Sequence, residues 1–139
     1  MTTTNKIKLV LIGLIPLLGF ALLPSNVFSH FDSAGVADDS LPRNVLILVF
    51  TGLSALLTFG IAAISRIVPQ SFEERVGVFL EYYGLSFGIW MLLMWVLVIV
   101  ANNFGNGHIS TIGVWVISVV LVAPLTLLLL PYPKKNTRA

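Results

Sequence analysis

The sequence predicts an all-α, polytopic membrane protein: a compact bundle of four transmembrane helices with both termini on the cytoplasmic side. Three observations carry this. Of the 139 residues, 57% are hydrophobic and only 10% charged, against about 25% charged in soluble domains. The apolar residues are gathered into runs of membrane-spanning length, more than so small a soluble fold has interior to hide. Seven of the eight lysines and arginines (Lys6, Lys8, Arg66, Arg75, Lys134, Lys135 and Arg138) fall on one side of the resulting topology, and Arg43 stands alone on the other. That asymmetry orients the chain.

The same charge pattern accounts for the pI of about 9.2 without nucleic acid, because the basic residues flank hydrophobic runs and form no patch. With no cysteine in the chain, disulfides, thiolate metal sites and a cysteine nucleophile are excluded.

The first span covers residues 7–23 and is short for a hydrocarbon core of about 30 Å, so Lys8 is expected to snorkel toward the headgroups. Pro16 removes one internal hydrogen bond and should bend it. A cleaved signal peptide is the rival reading, with Val27 and Ser29 as the small residues before a cut at His30; the lack of an A-x-A site favours a retained span. The second span, 44–64, carries Gly52, Ala55, Ala62 and Ala63 on one side, a face suited to helix packing. Its Thr51, Ser54 and Thr58 are expected to bond back to the preceding turn.

Residues 65–84 form the second cytoplasmic segment. Ser71 and Glu74 make a capping box, with Glu73 in the first turn, and Phe72, Val76, Phe79 and Tyr83 fall on one side of the helix that follows. This predicts a short amphipathic helix at headgroup level, with Glu81 a solvated charge on its other face. The third span is 85–101. After a short turn, Ser110 caps a fourth span at 111–130 that contains Pro124 and stops at Pro131–Pro133. No span shows an ionisable residue at mid-depth, which argues against a self-contained proton-coupled transporter. Nucleotide-binding and hydrolase motifs are missing as well.

Chemistry is concentrated in the outer segment 24–43, which holds three of the six acidic residues and one of the two histidines. Gly35, in Asp-Ser-Ala-Gly, reads as a turn glycine. His30, Asp32, Asp38 and Asp39, joined by His108 if the outer loops fold together, supply ligands of the kind that hold a divalent cation. The metal reading rests on His30, Asp38 and His108, and their spacing matches no strong metal motif.

The run Leu23-Pro24, His30-Phe31, Gly35, Ala37-Asp38 and Leu41-Pro42 resembles the uncharacterised membrane domain at the start of SdpI-type bacterial immunity proteins. The likeness covers about residues 11–63. His30, Phe31, Gly35 and Asp38 match that pattern, which implies a bacterial plasma-membrane protein of toxin immunity or signalling; with Asp32 of the same segment they are the expected partner-binding residues. The chain departs from the family in its shortness and in having Leu41-Pro42-Arg43 where a lysine is usual. The expectation is a non-enzymatic subunit without catalytic residues or cofactor, bound to lipid and to a membrane-protein or peptide partner, or to copies of itself. An oligomeric transporter or channel lined by Thr51, Ser54, Thr58 and Ser118 is the alternative. A metalloenzyme with His30 and His108 as ligands is a third reading.

Overall fold

A computed structural model describes residues 2–67 and 74–129. Helix α1 spans Thr3–Leu22, α2 Arg43–Ile67 and α3 Glu74–Asn103. All three are long and apolar enough to cross a membrane, so the chain is a multi-pass membrane protein built as a compact helical bundle. A shorter apolar stretch follows: α4 (Thr111–Val122), a 3-10 turn at Ala123–Leu125 and α5 (Thr126–Leu129). Pro124 sits in that 3-10 turn, because its ring removes a donor and crowds the preceding turn. Ser71, Glu73 and the Pro131–Pro133 stop lie outside the described residues.

Two features differ from the sequence reading. The outer segment is not an irregular loop: Asn26–Phe31 (β1) and Ala37–Pro42 (β2) pair as an antiparallel hairpin, with register irregularities on either side of His30. Residues 74–103 form one continuous helix, so the turns read as a separate interfacial helix open the third span without a break. At a rise of about 1.5 Å per residue this helix is about 45 Å long, well beyond a hydrocarbon core of about 30 Å. Along it, Phe79, Tyr83, Phe87 and Trp90 form a ladder with ring centroids 5.2–6.2 Å apart.

α1, α2 and α3 converge on Trp95, which is fully buried. Its indole N–H donates to the Ile15 carbonyl of α1 at 2.9 Å, and its ring packs 4.6 Å from Phe50 of α2. Ile15, Leu23, Val27, Leu46, Ile47, Val98 and Ile99 complete this core, which lies toward the hairpin. Gly19 is needed here, since a Cβ would come within 2.8 Å of Trp95 and 2.7 Å of Ile47.

At the other end, α2 and α3 approach through glycines of α3. A Cβ at Gly84 would lie 2.6 Å from the Thr58 carbonyl oxygen, and one at Gly88 would lie 3.1 Å from Thr58 Oγ1. The small-residue face expected on α2 is divided: Ala62 is buried, Ala55 is half-buried, and Gly52 and Ala63 are exposed. Gly84→Ala is therefore expected to force α2 and α3 apart and cost about 1–3 kcal/mol. Gly52→Ala, with nothing within 4 Å, should be neutral or stabilising by up to about 1 kcal/mol. Reversible unfolding in detergent would measure both.

Candidate functional site at the hairpin end

The hairpin is held over the helix ends by side chains that complete its backbone hydrogen bonding. Asn102 Oδ1 accepts from the Phe28 N–H at 2.8 Å, while its Nδ2 donates to the Phe28 carbonyl at 3.2 Å and to Val98 within α3. Asn102 thus acts as one residue of a neighbouring strand. Asn103 Nδ2 donates to the Leu22 carbonyl at 3.0 Å. Arg43 Nη1 donates to the Leu23 carbonyl at 3.0 Å, its guanidinium 5.7 Å from the Phe20 ring centroid. These contacts occupy carbonyls that the end of α1 leaves free. Val27 points into the core and is fully buried.

The two outer connections also fold together. Ala37 N–H donates to the Gly107 carbonyl and Ile109 N–H to the Gly35 carbonyl, both at 2.8 Å, and Val36 pairs with His108 as an isolated bridge. Gly35 has φ +82°, and a Cβ there would lie 2.4 Å from the Ile109 carbonyl oxygen. It is thus both a turn glycine and a contact point. Asn106 and Gly107 also have positive φ, 49° and 80°. Asp32 builds the hairpin turn: its Oδ1 accepts from the Ala34 and Val36 N–H groups at 2.9 Å.

Between this turn and helices α3 and α4 lies an open cleft of about 460 Å³. Its apolar lining is Met94, Ile109, Val114 and Trp115, and Ser29, His30, Asp32 and Ser33 contribute polar groups. Trp115, 78% exposed, offers a broad ring at its edge. The volume falls in the range of small-ligand sites, roughly 300–1,000 Å³. His30 and Phe31 line the cleft directly, Asp32 lines it while shaping the turn, Gly35 fixes the contact with Ile109, and Asp38 stands behind His30.

His30 Nδ1 and Asp38 Oδ1 are 2.5 Å apart across the hairpin. The hydrogen bond and charge of Asp38, with a smaller contribution from Asp39, hold the His30 pKa above its ordinary value of 6.5 against slight desolvation. His108 is exposed and tied in through its backbone. Among the described residues, no three His, Cys, Asp or Glu side chains group as a metal site. Asp32 is engaged by backbone N–H groups, and the His30 ring by Asp38.

A second polar site lies at the opposite end of the bundle, where charged residues had been expected to reach the surface. Lys8 does not snorkel; its side chain is fully buried, with Nζ 3.8 Å from Glu81 Oε1 and Glu81 itself 40% exposed. Nor do the α2 hydroxyls close onto their own helix. Thr51 Oγ1, Ser54 Oγ and Thr58 Oγ1 are buried without a hydrogen-bond partner among the described residues, and Thr58 faces Gly88 of α3. Ser118 is not part of this strip, since its hydroxyl donates to the Val114 carbonyl and accepts from Trp90 Nε1 across the α3–α4 seam. Glu81 belongs to the continuous helix α3, which brings its carboxylate to Lys8.

No family model, curated protein or solved structure matches this chain.

The His30–Asp38 pair has a definite pH signature. Because the folded-state pKa is raised, its stabilisation is complete below the unfolded-state value and is lost as pH rises through the raised one. Asp38→Asn should return the His30 titration, followed by NMR of the imidazole protons, toward 6.5. An unchanged midpoint would show that Asp38 does not set it.

Proposed function

We propose that the protein is a non-enzymatic binding or accessory subunit of a membrane assembly, which receives a partner in the cleft between its hairpin and α3–α4. The observation that carries this reading is the cleft itself: about 460 Å³, with an apolar floor and polar groups at its edge, held by hydrogen bonds from Asn102, Asn103 and Arg43 to the adjoining backbone. A preformed site of this kind binds without first bearing the cost of ordering a loop. Its features suit an apolar side chain or short extended segment of a protein or peptide, with hydrogen bonds to Ser29, Ser33 or the outer nitrogen of His30.

The basic residues favour an orientation with the hairpin outside and both termini in the cytoplasm, α4 and α5 supplying a fourth crossing. In that orientation the cleft meets extracytoplasmic partners. The resemblance of His30, Phe31, Gly35 and Asp38 to the pattern of SdpI-type immunity proteins makes a secreted peptide one partner class, in the plasma membrane of a bacterium. The unpartnered hydroxyls of α2 favour a second reading, an oligomeric transporter or channel component.

A photoreactive amino acid at position 115 would test the binding reading in cells. It should cross-link one protein or peptide, whereas the same residue at Leu56, an exposed position on α2, should capture only lipid. In the chain without the photoreactive residue, Trp115→Ala should reduce co-purification of the partner so identified about tenfold or more, as expected for an aromatic anchor at an interface, without changing the unfolding midpoint. Equal recovery with and without Trp115, or no adduct at 115 beyond that at 56, would contradict the assignment.

A further inference from the structure

The proposed cleft does not use the buried polar groups at the Lys8 end. Lys8 Nζ is buried, lies 3.8 Å from one carboxylate oxygen, and makes no hydrogen bond among the described residues. An ammonium has three donors. Leaving them unmet in a low-dielectric interior costs more than one ion pair at this distance returns.

The α2 hydroxyls extend the set. Thr51, Ser54 and Thr58 recur at i, i+3 and i+7, so they share one face. All three hydroxyl oxygens are buried and unpartnered among the described residues. The glycine contacts connect the two groups. A Cβ on Gly88 would touch both Thr58 Oγ1 at 3.1 Å and Leu11 Cδ1 at 3.5 Å. Leu11 lies one turn beyond Lys8 on α1, and Gly88 lies two turns beyond Glu81 on α3. Lys8, Glu81 and Thr58 therefore line adjoining layers of the three-helix axis.

Helix rise gives the depth. Counted from Arg43 along α2, Thr58 lies about 22 Å and Ser54 about 16 Å into the bundle, at about 1.5 Å per residue. In a hydrocarbon core of about 30 Å this places Ser54 near mid-membrane and Thr58 about 7 Å nearer the Lys8 end. Beyond them the axis is closed by Trp95, Phe50 and Ile15, and the hairpin-side core is apolar.

We propose that the Lys8 end of the bundle is a one-sided aqueous vestibule: a water-binding site entered beside Glu81, lined by Lys8, Thr58 and Ser54, and stopped at Trp95. Half-exposed Glu81 marks the mouth. Water supplies the acceptors that Lys8 lacks and pairs with the hydroxyls at both of their functions. Trp95 is the seal, because its one polar group is already given to the Ile15 carbonyl.

The chain has no cysteine, so single thiols report hydration without further changes. Ser54→Cys, Thr58→Cys, Leu56→Cys and Val98→Cys would each be placed in the full chain in proteoliposomes. Brief exposure to Ag⁺, small enough to follow water, would be followed by alkylation of the remaining thiols in denaturant. The vestibule requires Thr58→Cys and Ser54→Cys to be blocked at least about tenfold faster than exposed Leu56→Cys or the core residue Val98→Cys. Adding Lys8→Met should slow blocking at position 58 by a similar factor, since the ammonium is the main reason for water to enter. A tenfold change corresponds to about 1.4 kcal/mol in accessibility. Blocking at 54 and 58 no faster than at 56 and 98, or an unchanged rate at 58 with Lys8→Met, would overturn the proposal.

Discussion

In a bilayer every backbone N–H and C=O at hydrocarbon depth needs a partner, and the chain is most exposed to that requirement where a spanning helix ends. Here the requirement is met by side chains of other helices. Asn102 takes both backbone groups of Phe28, Asn103 the Leu22 carbonyl and Arg43 the Leu23 carbonyl. The hairpin, the turn after α3 and the cleft between them all depend on this arrangement. Without Asn102, the Phe28 backbone of β1 would lose both of these partners.

Trp95 makes the second division. Its ring joins α1, α2 and α3, and its N–H is satisfied inside the bundle, as a buried indole requires. On the hairpin side the interior is aliphatic; on the other it contains a lysine and a row of hydroxyls. The glycines follow the same division. Gly19 makes room for the tryptophan ring, whereas Gly84 and Gly88 bring α3 against the backbone and hydroxyl of Thr58. One short chain thus contains two polar regions of different kinds, a folded cap at one end and buried donors at the other.

Much of the helical frame is legible in the sequence because membrane-spanning length is a strong signal. The N-cap at Ser110, whose hydroxyl accepts from Gly113 N–H at 3.0 Å, and the turn glycine at Gly35 follow from local chemistry. The hairpin is harder to read. Asn-Val-Phe-Ser-His-Phe alternates only weakly, and β2 (Ala-Asp-Asp-Ser-Leu-Pro) shows no alternation, while the contact that ties β1 to α3 comes from Asn102, 74 residues from Phe28. Lys8 is harder still. A lysine near a helix end ordinarily snorkels, and only the packing of α1 against α3 turns it inward. The small residues of α2 predict a close-approach face there, while Gly84 and Gly88 of α3 supply it, since composition alone does not rank one helix face over another.

Amide hydrogen exchange across residues 24–43 and 104–110, in nanodiscs, addresses the preformed cap most directly. Phe28, Ala37, Arg43 and Ile109 donate their N–H groups to fixed partners within this cap, so slow exchange approaching that of the helix interiors is expected at these four, with fast exchange at exposed Ser33. Rapid, uniform exchange throughout both segments would contradict a preformed cap and leave the cleft without a scaffold.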